Sequence, residues 1–114
     1  RIGWVPFAIE WCDRQVEERA PDPSAPLSML PSEYAKRNCG FTFEEDYVGT
    51  EMMKLDWCNL GEVAIWGSDY PHPQGTWPDV SIPIDKMFEG VDPAIKQRVL
   101  WDHAAEMFNI QGPK

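Results

Sequence analysis

Apolar and polar positions along the chain fall into blocks whose period switches between helical and strand-like. Phe7, Ile9, Trp11, Cys12 and Val16 supply the apolar side of a segment over about residues 7–19. Asp13, Arg14, Gln15, Glu17, Glu18 and Arg19 supply its polar side, so the segment is predicted to be a helix. The apolar stretch that leads into it, Ile2-Gly3-Trp4-Val5-Pro6-Phe7, reads as a turn. Residues 20–31 carry four prolines and cannot continue the helix. Leu27, Met29 and Leu30 within them call for apolar cover, which predicts an ordered connection rather than a domain linker. A short helical turn is expected from Pro31 to near Asn38, and a short β-prone segment follows at 39–43. Met52, Met53, Leu55 and Trp57 predict a helix over 48–58, closed by Asn59-Leu60-Gly61.

The continuous apolar run at 63–67 has strand length and suits a parallel strand buried on both faces. The last element has the clearest start signal. Asp92 can cap it and Pro93 takes its first position. Ile95, Val99, Leu100, Ala104, Met107 and Phe108 follow at helical spacing, and Gly112-Pro113 ends it. The order helix, strand, helix, strand, helix argues for βα units and a parallel sheet. Two parallel strands leave open edges. A closed eight-stranded barrel takes roughly 250 residues, so a chain of this length supplies less than half of one. The start at Arg1 rather than Met adds to the expectation that these 114 residues are a piece of a longer protein.

Charge narrows the partners. Ten basic against 19 acidic residues give a formal charge of −9, which repels phosphate backbones and anionic headgroups. Nucleic acid and membrane surfaces are therefore not expected as partners, and no apolar run approaches the ~18 residues of a span. At 43% hydrophobic with six Trp, the composition is that of a folded chain. Cys12, Cys39 and Cys58 are odd in number and widely spaced, without a C-x-x-C pair. Reduced thiols and a cytoplasmic location are the expectation.

The chemistry concentrates in Trp66-Gly67-Ser68-Asp69-Tyr70-Pro71-His72-Pro73-Gln74-Gly75-Thr76-Trp77-Pro78, directly after the buried strand. The C-terminal ends of parallel strands are where ligands bind in such folds. Gly67 and Ser68 permit close approach, and the prolines stiffen the loop that carries Tyr70, His72 and Trp77. A carboxylate placed at Asp69 can ligate a divalent metal or accept a proton from water. An Asp after a strand also serves as a turn former or helix cap, and that reading stands beside the first. His72 between prolines reads as a loop residue as well as a ligand candidate, and His103 as a structural or surface residue.

The 66–78 segment resembles the last-strand motif of the amidohydrolase-related, metal-dependent hydrolases. That branch includes relatives of aminocarboxymuconate semialdehyde decarboxylase and of the dihydroxybenzoate-type decarboxylases. Residues 3–13 (G-W-V-P-F-A-I-E-W-C-D), 31–38 (P-S-E-Y-A-K-R-N) and 104–108 (A-A-E-M-F) resemble the same family in the same order. The resemblance implies that residues 1–114 are the C-terminal portion of a TIM-type (β/α)8 barrel, an incomplete barrel holding about strands seven and eight with their helices. It implies that Asp69 is the last-strand catalytic residue and metal ligand, shuttling a proton from a metal-activated water to the leaving group. Trp4, Phe7, Tyr70, His72 and Trp77, with Pro6, would line the substrate pocket, although core packing accounts for the aromatics equally well.

A divalent metal, zinc or manganese, is implied as cofactor. The family's H-x-H pair and its further His are expected upstream of Arg1. Trp11 stands where many relatives carry Arg, and His103 where many carry Asn. The implied activity of the full-length enzyme is hydrolysis of a small molecule, or alternatively non-oxidative decarboxylation of a small aromatic or unsaturated acid. Homodimerisation of the full-length protein is left open, and these residues alone are expected to be inactive. A different class of function, a non-catalytic acidic module using exposed Trp and Tyr to bind a protein, predicts a stable metal-free domain.

Overall fold

The computed structural model describes residues 1–19, 22–24 and 26–112. Ala20, Pro21 and Ala25 of the proline-rich connection, and Pro113 of the expected terminator, lie outside the described residues. The protein is a small mixed α/β domain with helices around a pair of parallel strands.

Helix α1 (Val5–Glu18) opens two residues earlier than its apolar pattern predicts, because Pro6 suits a first turn that has no amide bonds to make. Val5 is fully buried, while Phe7 and Trp11 stack on each other in solvent. Helix α2 (Pro31–Asn38) has the predicted bounds. Proline takes its first position, and the Glu33 carboxylate reaches back 2.8 Å to the Leu30 amide. Asp13 of α1 accepts from the Ser32 amide at 2.8 Å and so fixes α2 against α1. Of the apolar residues in the connection, Met29 and Leu30 are half-buried and Leu27 is exposed, so the expected cover is partial.

Strands β1 (Phe41–Phe43) and β2 (Ala64–Trp66) pair in parallel, with Phe41 opposite Ala64 and Phe43 opposite Trp66. Alternation along a strand puts these four on one face and Thr42 with Ile65 on the other. The first face lies in the core with Ile2, Val5, Met53, Leu60, Met87 and Val99. On the second face Thr42 is open to solvent. Ile65 is covered at the lower end, where Gly40 gives the room for Ile65 and Met107 to close over it; a Cβ there would stand 2.5 Å from Ile65 Cδ1.

Between the strands the predicted 48–58 helix is corrected to α3 (Tyr47–Met52). Met53 is buried, but Leu55 and Trp57 are exposed, so no apolar face extends the helix past its first turns. The chain turns instead through a left-handed Asn59 into a short 3-10 segment, Leu60–Glu62. Helix α4 (Ser81–Met87), which the pattern did not predict, buries Met87. The C-terminal helical run begins as predicted, with Asp92 Oδ1 accepting from the Ala94 amide at 2.7 Å and Pro93 first. It comprises α5 (Pro93–Gln97), a π turn (Arg98–Asp102) and α6 (His103–Phe108), and ends at a left-handed Asn109. His103, expected as a structural or surface residue, is 5% exposed, and its Nδ1 lies 3.1 Å from the Ala64 carbonyl.

The molecule is extended. Its radius of gyration is 16.0 Å, whereas a compact chain of this length is expected near about 13 Å. Trp4, Trp11, Trp57, Trp77 and Trp101 are exposed. Among the described residues no helix is long and apolar enough to cross a membrane.

Candidate functional site

The site forms where both strands end at the same level. The Gly67 amide continues the ladder to the Phe43 carbonyl at 2.9 Å, so Glu44 and Gly67 leave the sheet side by side. Trp66 Nε1 donates to the Glu44 carbonyl at 2.8 Å and locks that departure. Asp69 follows, and with Thr42, Phe43, Glu44 and Gly67 it lines a shallow concavity of about 190 Å³ at the C-terminal end of the sheet. A Cβ at Gly67 would meet nothing within 4 Å, so this mouth is open.

Asp69 has φ of +57°, a left-handed conformation that Asp tolerates better than most residues. The reversal brings the His72 amide back to the Asp69 carbonyl at 2.7 Å. The turn-former reading and the chemical reading of Asp69 are therefore compatible, because the main chain makes the turn and the carboxylate stays available. That carboxylate is 53% exposed and lies 3.5 Å from His72 Nδ1. The loop closes on itself: the Gly75 amide donates to the His72 carbonyl at 2.9 Å and the Thr76 amide to the Ser68 carbonyl at 3.0 Å. Tyr70 and Trp77 then meet edge to face at 5.4 Å, both exposed. The Tyr70–Pro71 and Trp77–Pro78 peptides are cis.

Gly75 is the closure point. An added Cβ would collide with the Ser68 carbonyl oxygen and lie 3.1 Å from those of Asp69 and His72. All three are main-chain atoms that cannot swing aside. Gly75→Ala is expected to cost about 1–2 kcal/mol as overpacking. It should also release the loop, seen as lost hydrogen-exchange protection at the Thr76 amide; unchanged protection there would contradict this closure.

The loop thus brings together Asp69, Tyr70, His72 and Trp77, four of the seven residues singled out from sequence. Trp4 and Phe7 have other partners: Trp4 stands edge-on to Phe41 at 5.7 Å, and Phe7 stacks on Trp11. Of the predicted pocket residues, Trp4, Phe7, Tyr70, His72 and Trp77 all lie outside the lining of the concavity that holds Asp69. Thr42 and Glu44 do line it, and the motif gave no sign of them. Their place depends on strand register, which a pattern of apolar residues does not encode.

Asp46 was also missed, though it carried a signal, an acid one turn before Gly49 in a helix-forming stretch. It is 3% exposed. Its carboxylate accepts from the amides of Ile2 at 2.6 Å, Gly3 at 3.2 Å and Gly49 at 3.0 Å. Burial raises its pKa, and the bonds from Gly49, Ile2 and Gly3 outweigh that, leaving it below the ordinary aspartate value. It caps α3 and ties the segment before α1 to the start of that helix.

Among the described residues, no three His, Cys, Asp or Glu side chains converge closely enough to hold a metal ion. No protein-family model matches the chain, and no curated protein matches it in sequence.

Proposed function

We propose that this chain is the C-terminal portion of a (β/α)8 barrel enzyme of the amidohydrolase-related type, with Asp69 as its proton-transfer residue. The observation that carries the reading is the position of Asp69. It stands on the loop leaving β2, at the C-terminal end of a parallel pair, with a half-exposed carboxylate facing an open concavity. Supporting it are a parallel sheet of only two strands, the extended shape and the uncovered tryptophans, all of which further strands and helices would complete.

In this reading Asp69 would hold a divalent ion, zinc or manganese, together with ligands from residues outside these 114. When bound, such an ion supplies positive charge that favours ionised groups and polarises substrate. The chain's own residues do the rest. Asp69 accepts the proton of the attacking water and returns it to the leaving group. His72, 3.5 Å away, orients the carboxylate, and the Tyr70–Trp77 pair offers an apolar wall to a small substrate.

The test is elemental analysis of the intact protein, followed by assays on small esters, amides and aromatic carboxylic acids before and after chelation. Bound zinc or manganese is expected, with turnover lost on chelation and restored by the metal. A metal-free protein that turns over nothing, with or without added zinc or manganese, would remove the proposal and leave a binding module.

A further inference from the structure

A second cleft, of about 370 Å³, lies between α2 and the C-terminal helical run, lined by Lys36, Arg37, Asn38, Arg98, His103 and Glu106. Its charged side chains sum to +2, three cations against Glu106, in a chain whose net charge is −9. The π turn creates this arrangement. On an ordinary α-helix, residues five apart point about 140° away from each other. The i→i+5 bond from the His103 amide to the Arg98 carbonyl brings the two side chains to one cleft instead. Such turns recur at functional sites.

One buried nitrogen, Arg98 Nε, has no hydrogen-bond partner among the described residues. Arg98 Nε is shut off from solvent, with the Glu62 carboxylate 4.0 Å away, beyond bonding distance. Arg98 Nη1 is held by Glu106 at 3.1 Å, which leaves Nη2 as the guanidinium donor open to a ligand. His103 Nδ1 faces a carbonyl, which only accepts, so it carries the hydrogen and Nε2 is not engaged by that bond, in a residue that lines the cleft. Lys36 and Arg37 also suit the carbonyl end of α2, a sufficient reason for two cations there. That reason does not extend to Arg98 or His103, which approach from another helix.

We propose that this cleft binds a phosphate group, free or on a small ester, remote from Asp69. Phosphate oxygens match Arg98 Nη2 and the Lys36 and Arg37 charges. Near neutral pH inorganic phosphate also keeps an O–H, so it can meet the Nε2 lone pair of a neutral His103 as donor and the Nε2–H of a charged ring as acceptor. The proposal stands on these residues alone and does not depend on the reading of Asp69.

Inorganic phosphate is titrated into isotopically labelled intact protein at physiological salt, with the His103 ring nitrogens and Arg98 Nε–H followed by NMR. Saturable shifts at both are expected. In the surface double variant Lys36→Ala/Arg37→Ala, whose side chains are exposed and leave the core intact, binding should weaken by about tenfold or more. Glycerol phosphate in the same titration separates the sources: equal binding assigns the site to esters, and binding of inorganic phosphate alone assigns it to the free ion. Absence of saturable shifts at His103 and Arg98 with either compound, or affinity unchanged in the double variant, would overturn the proposal.

Discussion

Replacing Asp46 by alanine is expected to destabilise the protein by about 3–5 kcal/mol, the cost of stranding several buried donors at once. The variant leaves the amides of Ile2, Gly3 and Gly49 without the acceptor they share. Only 3% of Asp46 is exposed, so water does not readily replace it. It also frees the segment before α1 from the start of α3, since the two amides from the N-terminal segment converge on one oxygen, Oδ2. Asp46→Asn should lose less, because one oxygen still accepts while the amide group faces donors.

The pH dependence is set by the direction of the shift. The folded pKa of Asp46 lies below its unfolded value, burial notwithstanding, because the backbone amides stabilise the charged form. The stabilisation is therefore complete above the unfolded aspartate value of about 4 and is lost as pH falls through the lower folded pKa. Urea denaturation of parent and Asp46→Ala across this range should show the gap between them narrowing with acidification. A variant within about 0.5 kcal/mol of the parent at neutral pH would show that Asp46 is not the tie described here.

Much of this architecture was legible because it rests on local chemistry. Pro31 and the Glu33 back-bond delimit α2, and Asp92-Pro93 opens the C-terminal run, both through side chains acting within a few residues. The run at 63–67 gave β2 because a strand with two buried faces leaves no polar alternation. The illegible parts depend on partners distant in sequence. Leu55 and Trp57 suggested a longer α3, but nothing in these residues covers them, and a short helix without a packed face does not hold. In α4, Ser81-Ile82-Pro83 reads as a loop until it is seen that Pro83 stands in the first turn, where its missing amide costs nothing. The π turn keeps the apolar spacing of Ile95, Val99 and Leu100 and shifts only the residues beyond them, so periodicity passes over it. The site divides the same way: the Asp69 loop is local and was readable, whereas Thr42 and Glu44 enter through register.

Asp69→Asn is the substitution that separates the carboxylate from the turn it stands in. Asn adopts left-handed φ as readily as Asp, and the bonds that close the loop, from His72 to Asp69 and from Thr76 to Ser68, use main-chain atoms only. The side chain is half-exposed, so stability should stay within about 0.5 kcal/mol of the parent. An amide of the same shape cannot accept and return a proton, and for a positioned general base that loss is about 10²–10⁴-fold in turnover. Under the proposed reading, the expected result in the intact protein is therefore a fall in kcat of at least about 10²-fold, with KM little changed and the fold intact by circular dichroism. Metal content should fall too, because a neutral amide oxygen is a poorer ligand than a carboxylate. A raised KM with kcat preserved would instead make Asp69 a substrate contact. Full activity with full metal content would return it to its role as a turn residue, and with it the proposed chemistry of the loop would go.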